Sequence, residues 1–203
     1  MDNIVSEFNN YGVILIQRNM LGLTDEDLLK LDILANSDKL GFEEYKDKQG
    51  AGMIKVLKLL YRPPGSRLIH SKTHLFLDLI ESDKLAKFYR QLGQDLFIYR
   101  CQINEVINNG FIYEHRDGDE DPSTLLTCIV KMNGQHSGGD FIANGQRHNL
   151  QPGDMLVINP DVPHHVERTI GTRRTLVFFL TSESKLKECQ GKNPKAIDYS
   201  SPI

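Results

Sequence analysis

The sequence lacks the features that mark secreted, membrane-bound or nucleic-acid-binding proteins. Only three of its 203 residues are cysteine and none forms a CxxC pair, so neither a disulfide framework nor a thiolate metal site is expected. No apolar run approaches the ~20 residues that a membrane helix needs, and no basic patch precedes an apolar run near the N-terminus. The net charge of −3 gives no electrostatic argument for nucleic acid or an anionic membrane. We expect a cytoplasmic protein in a reducing setting.

What is present is the composition of an ordinary globular protein. Hydrophobic residues make up 39% of the chain and charged residues 25%, a balance that suits a folded domain with a solvated surface. The length is enough for one domain to bury its own core without disulfides. No internal repeat or low-complexity segment divides the chain. We therefore predict a single domain over residues 1–203.

The first 95 residues are predicted to be rich in helices. Residues 12–17 form a short, β-branched apolar run that is typical of a buried strand. Thr24, with acids at the next three positions, predicts a helix start with a capping box, and spaced leucines continue this helix to about Asn36. Two further helices are predicted, over residues 75–80 and 84–92.

Other segments of this part have weaker patterns. Residues 41–52 are polar and carry two glycines, which predicts a loop. Residues 53–60 mix lysine with leucine, a pattern that suits a strand or a helix. Residues 62–65, Arg-Pro-Pro-Gly, predict a turn, because proline fixes φ and glycine permits positive φ.

From residue 96 onward, short apolar or alternating runs are separated at close intervals by Gly, Asn, Asp and Pro. This pattern predicts a double sheet of short strands. The predicted strands are 96–107, 111–116, 125–132, 140–143, 148–150, 155–158, 164–168 and 175–180. The predicted fold class is α+β. It comprises N-terminal supporting helices in residues 1–95, a double-stranded β-helix (jelly-roll) core in 96–181 and a surface-draped tail in 182–203.

Two side chains with ligand chemistry end the second of these strands. His115 and Asp117 are two residues apart, so on an extended backbone both leave the same face. An imidazole from a distant strand would complete two histidines and one carboxylate, the set that holds non-haem Fe(II) with open positions. A lone His-x-Asp is more often a solvated turn, and the acids at 119–121 predict a polar loop here. The partners of the triplet therefore decide its meaning.

Those partners follow in order along the chain. Gly138-Gly139 comes after the apolar strand 125–132, Pro163-His164-His165-Val166 comes next, and Gly171-Thr172-Arg173 comes last. This order resembles the Fe(II)/2-oxoglutarate-dependent dioxygenases, most nearly their prolyl-4-hydroxylase-like branch. Their pattern is His-x-Asp, Gly-Gly, His-x-Val and then an arginine. The resemblance covers residues 96–181.

The resemblance implies a third metal ligand from the Pro-His-His-Val segment. On a strand the two histidines face opposite ways, so only one of them can join the site. His164 puts Val166 in the His-x-Val position, whereas His165 would put Glu167 there. His164 is therefore the predicted ligand, beside His115 and Asp117.

The resemblance also implies residues that bind the co-substrate. Arg173 would pair its planar fork with the distal carboxylate of 2-oxoglutarate, in a bidentate, charge-assisted contact. Thr175 lies two residues further on the same face. Lys131 alternates with Thr127 and Ile129, and related enzymes put a tyrosine or lysine from this strand on that carboxylate. A surface lysine with its stem along the sheet is the equally open alternative.

The implied activity is hydroxylation of an unactivated C–H bond, with Fe(II), 2-oxoglutarate and O2. The branch suggests an amino-acid-type substrate, either a small molecule or a peptidyl residue such as proline. The presence of Asp117 favours hydroxylation, because related halogenases lack this carboxylate.

Two alternatives stay open. One is a cupin-like metal-binding protein, and the other is a non-catalytic sensor of iron or 2-oxoglutarate. The four histidines without ligand spacing are predicted to be ordinary surface or core residues: His70, His74, His136 and His148.

Overall fold

The computed structural model describes residue 8 and residues 10–37, 41–45, 54–61, 68–69 and 95–189. Its helices include α1 (Arg18–Leu21), α2 (Asp25–Ser37), α3 (Asp117–Glu120) and α4 (Glu183–Cys189). The early strands are β1 (Val13–Ile16), β2 (Glu43–Tyr45), β3 (Ile54–Tyr61), β4 (Leu68–Ile69), β5 (Phe97–Val106), β6 (Ile112–His115) and β7 (Leu126–Lys131). The later strands are β8 (His136–Gly138), β9 (Phe141–Ala143), β10 (Gln146–His148), β11 (Met155–Ile158), β12 (His164–Val166), β13 (Thr169–Gly171) and β14 (Arg173–Thr181).

The strands form a large sheet, a small sheet and a separate strand pair. The large sheet has the order β1-β11-β7-β14-β5-β3-β2, with β4 also pairing with β3. The small sheet has the order β10-β9-β12-β6, and β13 pairs with β8. This arrangement confirms the predicted jelly-roll core.

Two hydrophobic cores cover the two faces of the large sheet. On one face, which we call the inner face, Ile129 and Val177 pack with Phe141 and Val166 of the small sheet. On the outer face, Cys128 and neighbouring residues pack against the buried leucines of α2. Side chains alternate along a strand, so each central strand of the large sheet sends residues into both cores. The space between the sheets on the inner face holds the candidate site.

Helix α2 begins where the sequence predicts. The backbone N–H of Asp27 donates to Thr24 Oγ1 at 3.2 Å, and Asp27 Oδ2 accepts from the Thr24 backbone N–H at 2.8 Å. This reciprocal pair is a capping box, with aspartate in the acidic position. The helix then buries Leu28, Leu31 and Leu34 in the outer core. Among the described helices, none combines the length and apolar character needed to cross a membrane.

Several predicted elements need correction. The predicted loop 41–52 contains strand β2, which pairs with β3 through Glu43 and Val56. The ambiguous segment 53–60 contains most of strand β3, whose residues pair with β5. The predicted strand 148–150 lies two residues earlier in the chain, as β10.

The sequence reading also missed some elements. Strands β8 and β13 are three residues long and contain no apolar run, so the sequence pattern did not predict their pairing. Part of the tail is helical, as α4, and Asp119 and Glu120 of the predicted polar loop belong to the single turn of α3, which Asp121 ends. The predicted turn 62–65 and the predicted helices 75–80 and 84–92 lie outside the described residues. The described residues of 1–95 add strands to the large sheet as well as helix α2, and the division at residues 95 and 181 stays a prediction.

Candidate active site

One end of the space between the sheets gathers three side chains with ligand chemistry, His115, Asp117 and His164. We call this group the metal end. His115 on β6 lies directly opposite His164 on β12 in the antiparallel register, and their ring centroids are 4.3 Å apart. Asp117 follows β6 and places its carboxylate between them, 3.6 Å from His115 Nε2 and 3.7 Å from His164 Nε2. One ligating atom from each residue lies within 4.8 Å of the others.

Hydrogen bonds orient both imidazoles so that Nε2 faces the carboxylate. His115 Nδ1 lies 2.8 Å from the Tyr113 carbonyl oxygen, and His164 Nδ1 lies 2.9 Å from that of Val162. A carbonyl oxygen only accepts, so each Nδ1 carries the proton and each Nε2 presents a lone pair. Metal-binding histidines commonly have this arrangement. Burial lowers the pKa of His164, although Asp117 opposes this shift, so His164 is held in the neutral form that binds metals.

The Asp117 carboxylate is 5% exposed, and the Thr127 hydroxyl on β7 donates to its Oδ2 at 2.5 Å. A buried carboxylate is costly unless a cation accompanies it. Two imidazole nitrogens and one carboxylate are a donor set for non-haem Fe(II). The residues at the metal end therefore fit such an ion.

His165 lies on the opposite face of β12 from His164. Its ring is 3.8 Å from the Glu114 carboxylate, and its side chain is 31% exposed against 4% for His164. The structure thus brings together the three predicted ligands, His115, Asp117 and His164, and keeps His165 apart from them.

The other end of the inner face gathers two buried cations, and we call it the anion end. Arg173 begins β14 and is 2% exposed, whereas Lys131 ends β7 and is 6% exposed. Thr175 lies beside Lys131 in the register of β14 with β7 and is also buried. The surface alternative for Lys131 is therefore wrong.

Buried polar atoms at the anion end have no partner among the described residues. Arg173 Nε and Thr169 Oγ1 both lack a hydrogen bond. Both residues lie beside Gly139, where a Cβ would be 2.5 Å from Thr169 Oγ1 and 3.0 Å from Arg173 Cδ. Buried donors of this kind are costly unless a ligand pairs with them. The anion end therefore fits a carboxylate ligand.

The pKa shifts of the two cations also indicate that the anion end fits an anionic ligand. Burial lowers the pKa of Lys131 to about 7, with a further contribution from the neighbouring charge of Arg173. Burial also lowers the pKa of Arg173 to about 10. Asp140 favours both charged forms, but it already forms an ion pair with Arg147. A bound anion would stabilise both cations.

The sequence patterns did not predict two residues of the anion end. His136 on β8 contacts the Lys131 ammonium group through its Nε2, although it was predicted to be an ordinary residue. Thr169 on β13 is fully buried beside Arg173. Each lies on a strand that the sequence pattern did not predict. The Gly138-Gly139 pair was the one available signal, since its positive φ values and close contacts allow these strands to approach.

The structure resembles solved oxygenases over most of its length. A member of the 2OG-Fe(II) oxygenase family from Burkholderia pseudomallei superposes with a TM-score of 0.76 at 19% identity, covering 89% of this chain and 90% of that one. A prolyl-4-hydroxylase from Pseudomonas putida gives 0.63 at 17% identity, covering 89% and 98%. A prolyl hydroxylase from Trichoplax adhaerens, solved with a hypoxia-inducible-factor peptide, gives 0.68 at 14% identity, covering 92% and 91%.

The chain has the fold of the Fe(II)/2-oxoglutarate oxygenases. The predicted resemblance is confirmed at the level of the fold, and prolyl hydroxylases are among the structures that share it. A family model described as an AraC-like ligand binding domain matches residues 138–190. No curated protein sequence matches the chain.

Proposed function

We propose that this chain is an Fe(II)- and 2-oxoglutarate-dependent oxygenase that hydroxylates an unactivated C–H bond. The observation that carries the proposal is the pairing of a metal end and an anion end on one inner face. Thr127 contacts Asp117 at the first, and Lys131 contacts His136 at the second. Thr127 and Lys131 are four steps apart along β7, roughly 13 Å at the rise of a strand. This distance leaves room for a metal-bound dicarboxylate.

Each end would have its own role. His115, Asp117 and His164 would hold Fe(II), and Thr127 would orient the carboxylate by donating to it. Arg173, Lys131 and Thr175 would bind the distal carboxylate of 2-oxoglutarate. When bound with O2, these groups supply oxidative decarboxylation to succinate and CO2 coupled to hydroxylation. The protein contributes orientation and the exclusion of bulk water.

We infer an amino-acid-type substrate, free or in a peptide. The prolyl hydroxylases of similar fold support it, and one of these was solved with a peptide. The inner face of β5 also supports a polar ligand. There Gln102 Nε2 donates to Asn104 Oδ1 at 2.7 Å, and the Arg100 guanidinium lies 3.6 Å from the centroid of the Phe179 ring. Arg100 Nε is buried with no hydrogen-bond partner among the described residues.

The test is succinate formation from 2-oxoglutarate in air, with Fe(II) and a panel of L-amino acids and proline-containing peptides. We expect succinate to form with iron and oxygen dependence, and the correct substrate to gain one oxygen atom by mass spectrometry. No succinate above the level of the His164→Ala variant, from folded and iron-replete protein, would contradict an oxygenase. Succinate coupled only to substrates that are not amino acids or peptides would contradict the substrate class.

A second candidate is a ligand-binding sensor without turnover. The match of residues 138–190 to an AraC-like ligand binding domain favours it. This candidate predicts saturable binding of Fe(II) and 2-oxoglutarate with no succinate under any condition of the panel. The two functions therefore separate on turnover rather than on binding.

A further inference from the structure

His136 lies at the anion end but has no role in the function proposed above. Strand β8 carries it, and β8 pairs with β13 so that Gly171 lies opposite His136. This pair of strands lies close to the adjoining backbone, since a Cβ at Gly171 would be 2.3 Å from the Gln135 carbonyl oxygen. The His136 ring contacts the end of the Lys131 side chain.

The hydrogen bonds of His136 fix which nitrogen faces Lys131. Its Nδ1 lies 3.0 Å from the Gly138 carbonyl oxygen, which only accepts, so Nδ1 carries the proton. Its Nε2 then presents a lone pair and accepts a hydrogen bond from the Lys131 Nζ. Burial, with the nearby charge of Lys131, lowers the pKa of His136, which keeps the ring neutral. The ring therefore orients the ammonium group and adds no negative charge.

A neutral partner matters because a carboxylate in the same place would cancel the charge of Lys131. The nearby acid Asp140 contacts Arg147, which also pairs with Glu167 at 2.8 Å. Asp140 is therefore engaged with a third cation. A bound anion can therefore pair with the charges of Lys131 and Arg173, and the remaining Lys131 protons can donate hydrogen bonds to it.

We propose that His136 is a positioning residue for the co-substrate: it holds the Lys131 ammonium group beside the Arg173 guanidinium to receive the distal carboxylate of 2-oxoglutarate. The inference rests on the proposed function. It gives a role to a residue outside the His-x-Asp, Gly-Gly, His-x-Val and arginine motifs that suggested that function. It predicts that substitution of His136 weakens the binding of 2-oxo acids that have a distal carboxylate and does not change the binding of those that lack one.

The experiment compares 2-oxoglutarate with pyruvate, which has the same 2-oxo acid group and no distal carboxylate. Each is titrated anaerobically into the Fe(II)-loaded protein, and the visible charge-transfer absorption gives its Kd. Three variants are compared with wild type. His136→Phe keeps a ring without an acceptor, His136→Gln keeps an acceptor, and His136→Glu adds a carboxylate. His148→Phe changes a half-buried histidine outside the cluster and serves as the matched control.

We expect His136→Phe to weaken 2-oxoglutarate binding about tenfold, because Lys131 loses its acceptor. His136→Glu should weaken it about a hundredfold, since the new carboxylate pairs with Lys131. His136→Gln should stay within about threefold of wild type, because its amide oxygen can accept. The Kd of pyruvate should not change in any variant, which also shows that the metal site is folded.

Equal binding of 2-oxoglutarate by wild type and His136→Phe would overturn the positioning role. So would a parallel loss of pyruvate and 2-oxoglutarate affinity, since it would mean that His136 is only structural. Failure of the proposed function gives a different result in wild type: either neither acid produces charge-transfer absorption, or both acids bind and no succinate forms in air.

Discussion

The metal end takes its side chains from one strand pair and the residues just beyond it, whereas the anion end draws on four strands. At the metal end, the register that puts His115 opposite His164 nearly completes the site. At the anion end, Lys131, His136, Thr169 and Arg173 come from β7, β8, β13 and β14. The metal end combines a carboxylate with neutral imidazole nitrogens, and the anion end combines two cations with neutral polar side chains. The two ends should therefore respond to mutation independently.

The largest expected effect is the loss of Fe(II) binding when a ligand at the metal end is removed. Asp117→Ala removes the buried carboxylate, and His164→Ala removes a neutral imidazole, so each should weaken Fe(II) binding by at least about a hundredfold. His165→Ala is the matched control, because its ring faces Glu114. Anaerobic equilibrium dialysis with Fe(II) measures the effect. If His165→Ala loses iron while His164→Ala keeps it, the ligand assignment is wrong.

The next largest effect should be weaker 2-oxoglutarate binding after a substitution at the anion end. Arg173→Gln removes a buried guanidinium, and the loss of its charge-assisted hydrogen bonds should weaken 2-oxoglutarate binding about a hundredfold. Iron binding should not change. Arg174→Gln is the control, because Arg174 pairs with Glu105 at 2.6 Å on the outer face. Equal losses in both variants would contradict a specific role for Arg173.

The two ends were not equally predictable from sequence. The metal end was the more predictable, because His-x-Asp and Pro-His-His-Val are local patterns. Strand alternation shows that only one of His164 and His165 can join the site, and the His-x-Val position implied by the family resemblance selects His164. Arg173 was also predicted, from its place after Gly171. The buried state of Lys131 could not be chosen, since the same alternation suits a surface lysine with its stem along the sheet.

His136 and Thr169 could not be found from sequence, for a physical reason. They lie on β8 and β13, three-residue strands that pair through backbone groups and contain no run of apolar residues. Without a hydrophobic period, a three-residue strand cannot be told from a loop. The large sheet was more predictable, because its central strands are buried on both faces and carry apolar runs, as β7 shows. Its recruitment of β2 was missed, since Glu43–Tyr45 is polar and short.

The pH dependence of co-substrate binding should come from the anion end. Among the described residues, the charged or titratable groups around Lys131 are Arg173, Asp140 and His136. Because burial lowers the pKa of Lys131 to about 7, the free protein loses this charge as pH rises above 7. 2-Oxoglutarate favours the charged form, so its affinity should fall by up to about tenfold per pH unit above that point.

Titrations between pH 6 and 9 measure this, with pyruvate as the control for effects at the iron. Lys131→Met should bind 2-oxoglutarate weakly and lose the extra pH dependence. The folding stability of the unliganded protein should change with pH in the opposite direction to the affinity for 2-oxoglutarate. The pKa of Lys131 is lower in the folded state than in the unfolded state, so stability should rise with pH above 7. A flat 2-oxoglutarate affinity over this range would contradict a charged role for Lys131.

The smallest expected effect concerns the orientation of the metal-end carboxylate. Thr127→Val removes the hydroxyl that donates to Asp117 Oδ2 at 2.5 Å, and it should weaken Fe(II) binding by about tenfold. Thr127→Ser should restore most of the affinity, because it keeps the donor. Affinity for 2-oxoglutarate relative to pyruvate should not change in either variant. A change in that ratio would show that the two ends are coupled through β7.

The central claim, that one inner face holds Fe(II) and 2-oxoglutarate together, is tested most directly by the anaerobic absorption spectrum of the wild-type protein. We expect a weak visible charge-transfer band only when both are present, saturating at one equivalent of each per chain. The band should be absent in His164→Ala and retained in His165→Ala. Folded, iron-replete protein that shows no such band with saturating 2-oxoglutarate would contradict the claim.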